Sequence, residues 1–405
     1  MKILVFSQLY SPETATITDL CKDLSKRGHN ITVMTGLPNA PGGKIFKGYG
    51  YFSRLREDLN GVDVRRNWLI PRGSGNNFRM ILNYLSFVFF CSLGLFRLRR
   101  KSFDVVLVNQ LSPITVALPA ILYKLIYRKK LVMWVHDLWP DSVIAAKAMS
   151  EGLAYKAIEK LVRFIYSHVD FFLPQSLAML KTLEDRGISK ELMNFTPNPI
   201  DDIFNSPNNF SSEKETHHPP EPCRFMFAGG IGAAQDFKTI LHAASLALTE
   251  EDIRILVVGD GRALDEAKAL TNDLKINEEV KFFGRHPVET MPSFYSQADF
   301  MLVTLLDEPI FSVTVPLKVQ TYMSAGKPII CNVRGETSRV INLAKCGFSV
   351  SPEDPNALAK AFVKAAKTSR IERLEMQDSA RRYFNENYSK DVIIDSIEDV
   401  LQKHC

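Results

Sequence analysis

Several patterns that would assign a chain to a class at once are missing from these 405 residues. The six cysteines show no CxxC spacing, which argues against a cysteine-bound metal or a disulfide framework and predicts reduced thiols. No GxxxxGK(S/T) motif occurs, which argues against a P-loop nucleotidase. No low-complexity tract or internal repeat is present, so a solenoid is not expected. The N-terminal run MKILVFSQLY lacks the cleavage site of a signal peptide, and we therefore expect a cytoplasmic protein.

Charge is distributed unevenly along the chain. Residues 1–205 hold 27 Lys/Arg against 17 Asp/Glu, whereas residues 206–405 hold 23 against 28. A basic half joined to an acidic half predicts that the first half faces an anionic surface or substrate. The alternative is an uneven surface charge without functional meaning. No nucleic-acid partner is expected.

Short apolar runs alternate with amphipathic stretches in both halves of the chain, and most of the apolar runs lack polar alternation, as in strands buried on both faces of a parallel sheet. The pattern predicts an α/β fold with two doubly wound, Rossmann-like domains facing a central cleft. We place the first domain at residues 1–200, completed by the C-terminal helix at about 385–405. A polar, proline-rich linker follows at 201–222, and the second domain occupies 223–384.

Two segments of the first half combine apolar and basic residues. The segment Arg79–Lys101 has no charge between Tyr84 and Phe96, and Leu122–Lys130 has a similar mixture. The uncharged run is shorter than the ~20 residues needed to span a bilayer. One interpretation is a helix lying in the membrane interface, with basic side chains on anionic headgroups. The other is a buried core helix whose end is basic. The predicted membrane contacts are Arg97, Arg99, Arg100 and Lys101.

Two glycine-rich turns follow predicted strands of the second half. The first contains Gly229, Gly230 and Gly232, and the second contains Gly259 and Gly261. Glycine in such a turn lets the backbone approach a phosphate closely. Neither turn is a complete GxGxxG, so a dinucleotide-dependent oxidoreductase is not favoured. The N-terminal turn SPETATIT has no glycine, and phosphate binding is therefore expected in the second domain.

The stretch TVPLKVQTYMSAGKPII, from Thr314 to Ile330, carries two lysines and no acidic residue. Val315 or Pro316 can start a helix here, and Gly326 can end it. The free N–H groups of the first turn, together with Lys318, would suit a diphosphate. The alternative for Lys318 is an exposed surface lysine. Lys327, past the helix end, is expected to be solvated.

Motifs along nearly the whole chain resemble those of GT-B glycosyltransferases of family 4, and most closely the O-antigen and capsule enzymes that include bacterial N-acetyl-L-fucosaminyl transferases. The most discriminating are HDLWPDS and VPLK…YMSAGKP. The others are LYSPE, KRGHNITVMTGLPNAPGGKIFKGYG, NYLSF, FTPNPID, AGGIGAAQD, VVGDG and VKFFGRH.

This resemblance implies a retaining, metal-independent transfer from a nucleotide-sugar held by the second domain. The donor would be a UDP-sugar, such as UDP-linked N-acetyl-L-fucosamine or another N-acetylated deoxyhexose. The acceptor would be a polyprenyl-diphosphate-linked saccharide at the inner face of the cytoplasmic membrane. The implied donor-binding residues are Gly229, Gly230, Gly232, Gly259, Arg285, His286, Glu308 and Lys318; His136, Asp137 and Lys318 would be catalytic, and Glu13 and Thr14 would meet the acceptor.

The sequence also departs from the family pattern. Many members carry a pair of glutamates where Val313 and Thr321 stand here, and Glu308 lies nearby but out of register. The family's usual arginine and lysine after the first strand of the second domain align with Gly230 and Asp236. Lys318 and Arg285 are therefore expected to supply most of the positive charge.

Two other functions remain open from the sequence alone. A GT-B sugar-nucleotide 2-epimerase shares the architecture but would not need the membrane-prone segment. A non-catalytic sugar-nucleotide-binding or membrane-assembly protein would fit the missing glutamates. For His136, Asp137 and Glu13, the alternatives to a catalytic or binding role are a structural histidine, a helix cap and an exposed loop carboxylate, respectively.

Overall fold

The structure is a computed structural model, and it describes residues 1–13, 15–73, 76–98, 102–145, 152–200, 204 and 222–404. The chain divides into two compact units. The first unit comprises residues 1–199 and 393–405, and the second comprises residues 200–392. Each unit contains its own predominantly parallel sheet, so the predicted α/β fold with two doubly wound domains is confirmed. The proposed linker lies almost entirely outside the described residues.

The first unit is built on a seven-stranded sheet with the order β3-β4-β2-β1-β5-β6-β7, in which β3 alone among these strands is antiparallel to its neighbour. Its strands are β1 (Lys2–Phe6), β2 (Asn30–Gly36), β3 (Arg56–Leu59), β4 (Val62–Asn67), β5 (Val105–Gln110), β6 (Lys130–Val135) and β7 (Phe171–Pro174). Its helices are α1 (Thr16–Lys26), α2 (Asn77–Gly94), α3 (Ala117–Tyr127), α4 (Asp141–Ala145), α5 (Leu153–Tyr166) and α6 (Leu177–Asp185).

The second unit is built on a six-stranded parallel sheet with the order β10-β9-β8-β11-β12-β13. Its strands are β8 (Cys223–Ala228), β9 (Ile253–Val258), β10 (Val280–Gly284), β11 (Phe300–Thr304), β12 (Ile329–Asn332) and β13 (Gly347–Ser349). Its helices are α7 (Phe237–Ala247), α8 (Leu264–Asp273), α9 (Met291–Ser296), α10 (Pro309–Ser312), α11 (Leu317–Ser324), α12 (Glu336–Ala344), α13 (Pro355–Ala366) and α14 (Arg370–Asn387), and the last helix of the chain is α15 (Lys390–Lys403).

Apolar side chains on both faces of each sheet explain the uninterrupted apolar runs of the sequence. Strand β5 is buried at every position, and β1 and β6 are buried at every position after their first residue. Helix α1 covers one face with Ile17, Leu20, Cys21 and Leu24, the four residues that the spacing predicts. The five described cysteines are free and buried, which agrees with the predicted thiols.

The end of α15 belongs to the first unit. Ile393, Ile394 and Ile397 are buried in the same core cluster as β1, β2 and α1. At the surface, Glu398 of α15 accepts from the His29 imidazole at 2.7 Å and from the Arg27 guanidinium at 3.0 Å. The chain therefore returns to the first unit after completing the second.

Candidate functional site

In a doubly wound sheet, ligands bind at the carboxyl ends of the strands, where the strand order reverses. In the second unit that reversal lies between the neighbouring strands β8 and β11. The glycine-rich turn after β8 lies there, and Gln235 of this turn accepts a 2.6 Å hydrogen bond on its carbonyl oxygen from Thr304 Oγ1, at the end of β11. The topology thus brings the first glycine turn to the expected ligand position.

The two glycine turns of the second unit touch each other. Gly229 N–H donates to Val258 O at 2.9 Å, and Ile231 N–H donates to Asp260 O at 2.9 Å. Gly229 and Gly259 have φ values of +141° and +148°, which favour glycine, and a Cβ on Gly259 would lie 1.9 Å from Gly229 O. Glycine is therefore required at position 259 by close backbone approach and is favoured at position 229 by its backbone conformation.

A cavity of about 500 Å³ opens over these turns. It contains five predicted donor-binding residues: Gly229, Gly230, Gly259, Arg285 and His286. Its other lining residues are Val258, Asp260, Gly261 and Met291. A larger cavity of about 800 Å³, beside α5 in the first unit, contains none of the predicted site residues.

Gly232 and Glu308, like Lys318, are predicted to bind the donor but do not line this cavity. Gly232 precedes a short 3-10 turn, Ala233–Gln235. Glu308 is half-buried at the N-cap of α10, where its backbone N–H donates to Leu306 O at 2.9 Å. The structure thus separates these two residues from the five that meet.

Lys318 lies beside the glycine turn in the first turn of α11. Its Nζ donates to Gln235 Oε1 at 2.9 Å and lies 3.9 Å from the centre of the Phe227 ring. A Cβ built on Gly229 would be 3.4 Å from the same Nζ. Burial lowers the pKa of Lys318 from 10.5 to about 7. Lys318 is therefore a half-buried ammonium with neutral partners, which contradicts the alternative of an exposed surface lysine.

The predicted helix of the Thr314–Ile330 stretch is present. Helix α11 starts after its N-cap Pro316, and Gly326 follows its end with φ +64°. The expectation for Lys327 was wrong, because its side chain is half-buried and its Nζ donates to Ala298 O at 2.8 Å. Burial lowers its pKa to about 8. Lys327 thus holds the helix end to the segment preceding β11.

The positions that depart from the family pattern have structural roles. Asp236 adopts a left-handed conformation with φ +47° and caps α7, with Oδ1 accepting from Thr239 N–H at 3.4 Å. Burial raises the pKa of the Asp236 carboxyl. Thr321 Oγ1 donates to Lys318 O, one turn earlier in α11. Neither residue adds positive charge to the cavity. Among the described residues predicted to bind the donor, the cationic groups beside the cavity are therefore Lys318 and Arg285.

In the first unit, polar side chains follow the buried strands directly. Gln8, Gln110 and His136, which follow or end β1, β5 and β6, are all buried. The Gln175 side chain, after β7, donates to His136 O at 2.6 Å and accepts from Asn198 Nδ2 at 2.8 Å. These contacts hold the backbone of the segment that contains the two predicted catalytic residues.

His136 is a neutral imidazole at physiological pH. Burial lowers its pKa to about 3, and its ring lies 4.3 Å from that of Trp134. A group with that pKa can exchange hydrogen bonds but cannot supply a positive charge near neutrality. For Asp137, burial raises the carboxyl pKa, while contacts from Trp139 and from the Leu138 N–H oppose the shift. Asp137 therefore also stabilises its own turn.

The predicted acceptor residue Glu13 is buried, which contradicts the alternative of an exposed loop carboxylate. Its Oε1 accepts from the backbone N–H groups of Asn39 and Ala40, both at 2.8 Å. Burial raises the pKa of this carboxyl, and the hydrogen bonds oppose that shift. Glu13 thus anchors the loop after β2. Thr14 lies outside the described residues.

Of the four predicted membrane contacts, the structure describes Arg97 alone. Its guanidinium is exposed and donates to Asn67 Oδ1 at 2.7 Å. Arg99, Arg100 and Lys101 lie outside the described residues. In the described part of the chain, no three His, Cys, Asp or Glu side chains cluster as metal ligands would.

Sequence reasoning missed Gln235, Gln175 and Asn198. Gln235 contacts Lys318, whereas Gln175 and Asn198 are linked to the backbone of His136. A signal was present, because Gln175 directly follows a buried strand and Gln235 lies in the glycine-rich turn. Carboxyl ends of parallel strands lie at one edge of a sheet, where polar residues can meet a ligand.

Two family models match the chain. Residues 14–203 match the model described as Glycosyltransferase Family 4. Residues 222–368 match the model described as Glycosyl transferases group 1. The chain is also 28% identical over 279 residues to a probable glycosyltransferase, WbjE, of Pseudomonas aeruginosa, a match that covers 64% of this chain and 65% of that protein.

Solved structures share the fold over the full length. The Anabaena protein HepE in complex with UDP matches with a TM-score of 0.70 and 17% identity, covering 100% of both chains. WaaG, a glycosyltransferase involved in lipopolysaccharide biosynthesis, matches with a TM-score of 0.64 and 14% identity, covering 99% of both chains. At these identities the likeness establishes the fold, which is GT-B.

Proposed function

We propose that this chain, which matches two glycosyltransferase models and has the GT-B fold, transfers a sugar from a nucleotide-sugar to a lipid-linked saccharide. The nucleotide-sugar is the donor of the reaction. A complex of the neighbour HepE with UDP supports a uridine nucleotide as its carrier. The choice of an N-acetylated deoxyhexose, such as N-acetyl-L-fucosamine, rests on the sequence resemblance.

One observation carries the proposal: Lys318 Nζ donates to Gln235 in the glycine turn after β8, and Gly229 and Gly230 of that turn line a cavity with Arg285 and His286. An ammonium, a glycine backbone and a helix start suit a diphosphate. In the proposed pose the diphosphate lies over the turn within hydrogen-bonding distance of Lys318 Nζ, and the base lies towards Arg285 and His286. A volume of about 500 Å³ lies within the ~300–1,000 Å³ range of small-molecule sites.

The proposed reaction retains the configuration at the anomeric carbon. The bond between that carbon and the diphosphate oxygen breaks, and the acceptor oxygen forms its bond on the same face. The departing phosphate oxygen takes the acceptor's hydroxyl proton, so no protein base is needed. Lys318 stabilises the negative charge that develops on the diphosphate. This division of roles agrees with a site whose predicted positions for two glutamates hold Val313 and Thr321.

His136 has a compatible role in the first unit. Its neutral imidazole can exchange hydrogen bonds with a sugar hydroxyl without adding charge. Gln175 fixes the His136 backbone through its carbonyl oxygen. Asp137 is the second first-unit residue in the proposal, and Glu13 supports the loop we assign to the acceptor.

The proposed acceptor is a saccharide carried on a polyprenyl diphosphate, as in O-antigen or capsule assembly, and the proposed location is the inner face of the cytoplasmic membrane. The basic balance of residues 1–205 supports an anionic partner for the first unit. The neighbour WaaG is involved in lipopolysaccharide biosynthesis, which is compatible with a proposed role in surface-polysaccharide assembly. We propose that transfer needs no metal ion.

Thermal-shift screening of the full chain against UDP-, GDP- and dTDP-sugars tests the donor, followed by calorimetry with the best ligand. Lys318→Ala should raise the donor Kd or lower turnover at least tenfold, equivalent to about 1.4 kcal/mol. The matched control is Lys360→Ala, which changes an exposed lysine on α13 of the same unit. Wild-type binding by the Lys318 variant would contradict the proposed site. A donor-only incubation that yields the C2 epimer would instead identify an epimerase.

A further inference from the structure

Helix α2 exposes most of its large apolar side chains, whereas an ordinary core helix buries them. Its buried residues are mostly small or polar: Asn83, Ser86, Phe87, Cys91 and Gly94. The Asn83 amide donates to Ile70 O at 2.7 Å and accepts from Gln8 Nε2 at 2.7 Å. Polar contacts thus hold α2 against the first unit, which contradicts the alternative of an apolar core helix.

The large apolar residues of α2 and the turn after it are exposed. They recur every three or four residues and therefore form one stripe: Phe78, Ile81, Leu85, Phe89, Leu93 and Phe96. At 1.5 Å per residue the stripe is about 27 Å long. By length and composition the helix Asn77–Leu98 could cross a membrane. Its polar contacts to the first unit favour a position along the surface of a bilayer instead.

An aromatic cluster extends the stripe. Phe52, 89% exposed, lies in the turn closed by the Gly50–Ser53 backbone pair. The Phe52 ring centre lies 5.4 Å from Trp68, whose ring lies 5.6 Å from Phe90 of α2. Phe90 in turn lies 5.2 Å from Phe89 in the stripe. Tryptophan, which is at the centre of this cluster as Trp68, is enriched at membrane–water interfaces.

Helix α3 packs beside α2 and exposes three further apolar side chains, Leu122, Leu125 and Ile126. We call the stripe, the Phe52 cluster and these three residues the apolar face. Soluble proteins rarely expose contiguous apolar surface of this extent without a partner. The apolar face therefore requires an explanation beyond folding.

The charge around the apolar face identifies the partner. Residues 64–136 contain twelve Lys/Arg and one acidic residue, Asp104. Four of these cations pair with carboxylates outside the stretch: Arg65 with Asp63, Arg66 with Glu57, and Lys124 and Lys130 with Asp170. Helices α2 and α3 contain no Asp or Glu at all. Arg79, within α2, and Arg128, at the end of α3, are exposed. Exposed apolar side chains and exposed arginines on two helices that contain no carboxylate complement a bilayer that carries anionic headgroups.

We propose that the apolar face seats the first unit on an anionic lipid bilayer, with the Phe52 turn and the α2 stripe inserted among the headgroups. This deepens the proposed function, because it assigns the surface that brings the enzyme to a lipid-linked acceptor. It does not depend on the chemistry, since vesicle binding is measured without donor or acceptor.

Cosedimentation with vesicles tests the proposal. The full chain is mixed with phosphatidylcholine vesicles with or without phosphatidylglycerol. We expect binding that needs the anionic lipid and falls in the double variant Phe52→Ser/Phe89→Ser by at least tenfold. The matched control is Ile371→Ser, which removes a side chain that is 71% exposed in the second unit. Its binding should equal that of the wild type, and all three proteins should melt at similar temperatures.

A spectroscopic readout locates the contact. Trp134 and Trp139 are buried, whereas Trp68 is half-buried within the Phe52 cluster. Brominated lipids should therefore quench Trp68, and Trp68→Phe should remove the quenching. Failure of the wild type to sediment, or wild-type sedimentation of the double variant, would overturn the proposal. If the wild type forms a dimer without lipid and the double variant is monomeric, the apolar face would instead be assigned to contact with a second copy of the chain.

Discussion

Donor binding should take up a proton at Lys318. In the free protein its Nζ contacts the neutral side chain of Gln235 and the ring of Phe227, and burial alone lowers its pKa to about 7. A diphosphate at Nζ would favour the charged form and raise that pKa again. Binding should therefore weaken as the pH rises above 7.

The magnitude follows from linkage. With a free pKa of about 7 and a bound pKa near the ordinary 10.5, the donor Kd rises about fivefold from pH 7 to 8 and about ninefold from pH 8 to 9. At pH 8 binding takes up about 0.9 proton.

Calorimetry in two buffers of different ionisation enthalpy measures the proton directly. A UDP-sugar suits the assay because its diphosphate is doubly esterified. Lys318→Met should bind weakly and without pH dependence. A wild-type Kd that is constant between pH 7 and 9, or a pH dependence retained by the variant, would refute the reasoning.

The same shift affects the stability of the ligand-free protein. The Lys318 pKa is about 7 in the folded state and 10.5 in the unfolded state. Between these two pKa values the unfolded state binds more protons than the folded state. The free energy of unfolding therefore rises as the pH increases from about 7 to 10.5. Lys318→Met should therefore stabilise the ligand-free protein at pH 7, by about 1–2 kcal/mol after allowance for partial solvent contact. Urea unfolding measures this change, and destabilisation would contradict it.

Three further predictions concern the site. Gly259→Ala should lower the melting temperature and abolish donor binding, because its Cβ would lie 1.9 Å from Gly229 O. Gly230→Ala should melt as the wild type does, because its Cβ would have no neighbour within 4 Å; equal melting temperatures of the two variants would contradict the close-approach argument. His136→Ala should lower kcat at least tenfold, equivalent to about 1.4 kcal/mol. The shape of the pH–rate profile between about pH 5 and 8 should not change, because the imidazole is already neutral there. An ionisation present in the wild-type profile and missing from that of the variant would contradict this prediction. Chelation with EDTA should leave the initial rate unchanged, and a loss restored by a divalent ion would refute metal independence.

Much of the sheet architecture could be predicted because buried parallel strands have a clear signal. The apolar runs of the sequence coincide with eleven of the thirteen strands in the described residues. The missed strands are β3 and β4, which form a hairpin across Asn60 and Gly61. Both turn residues have positive φ, and the dipeptide NG is a strong hairpin signal. The strands REDL and VDVRRN are largely polar, so the apolar-run pattern does not predict them.

The candidate site could be predicted in part. Glycine turns and a helix start give local signals, so Gly229, Gly259 and Lys318 were found from the sequence. Burial and partner choice depend on tertiary contacts, which no local pattern encodes. The inward orientation of Lys327, the cap made by Asp236 and the contact of Gln235 with Lys318 are of this kind. The exposure of the large apolar side chains of α2 likewise depends on tertiary packing and could not be predicted from the sequence.

The most direct test is a crystal structure of the full chain with a bound UDP-sugar. The proposal predicts a diphosphate oxygen within hydrogen-bonding distance of Lys318 Nζ and against the Gly229–Gly230 backbone, with the base beside Arg285. A diphosphate bound anywhere else on the molecule, with Lys318 still directed to Gln235 alone, would contradict it.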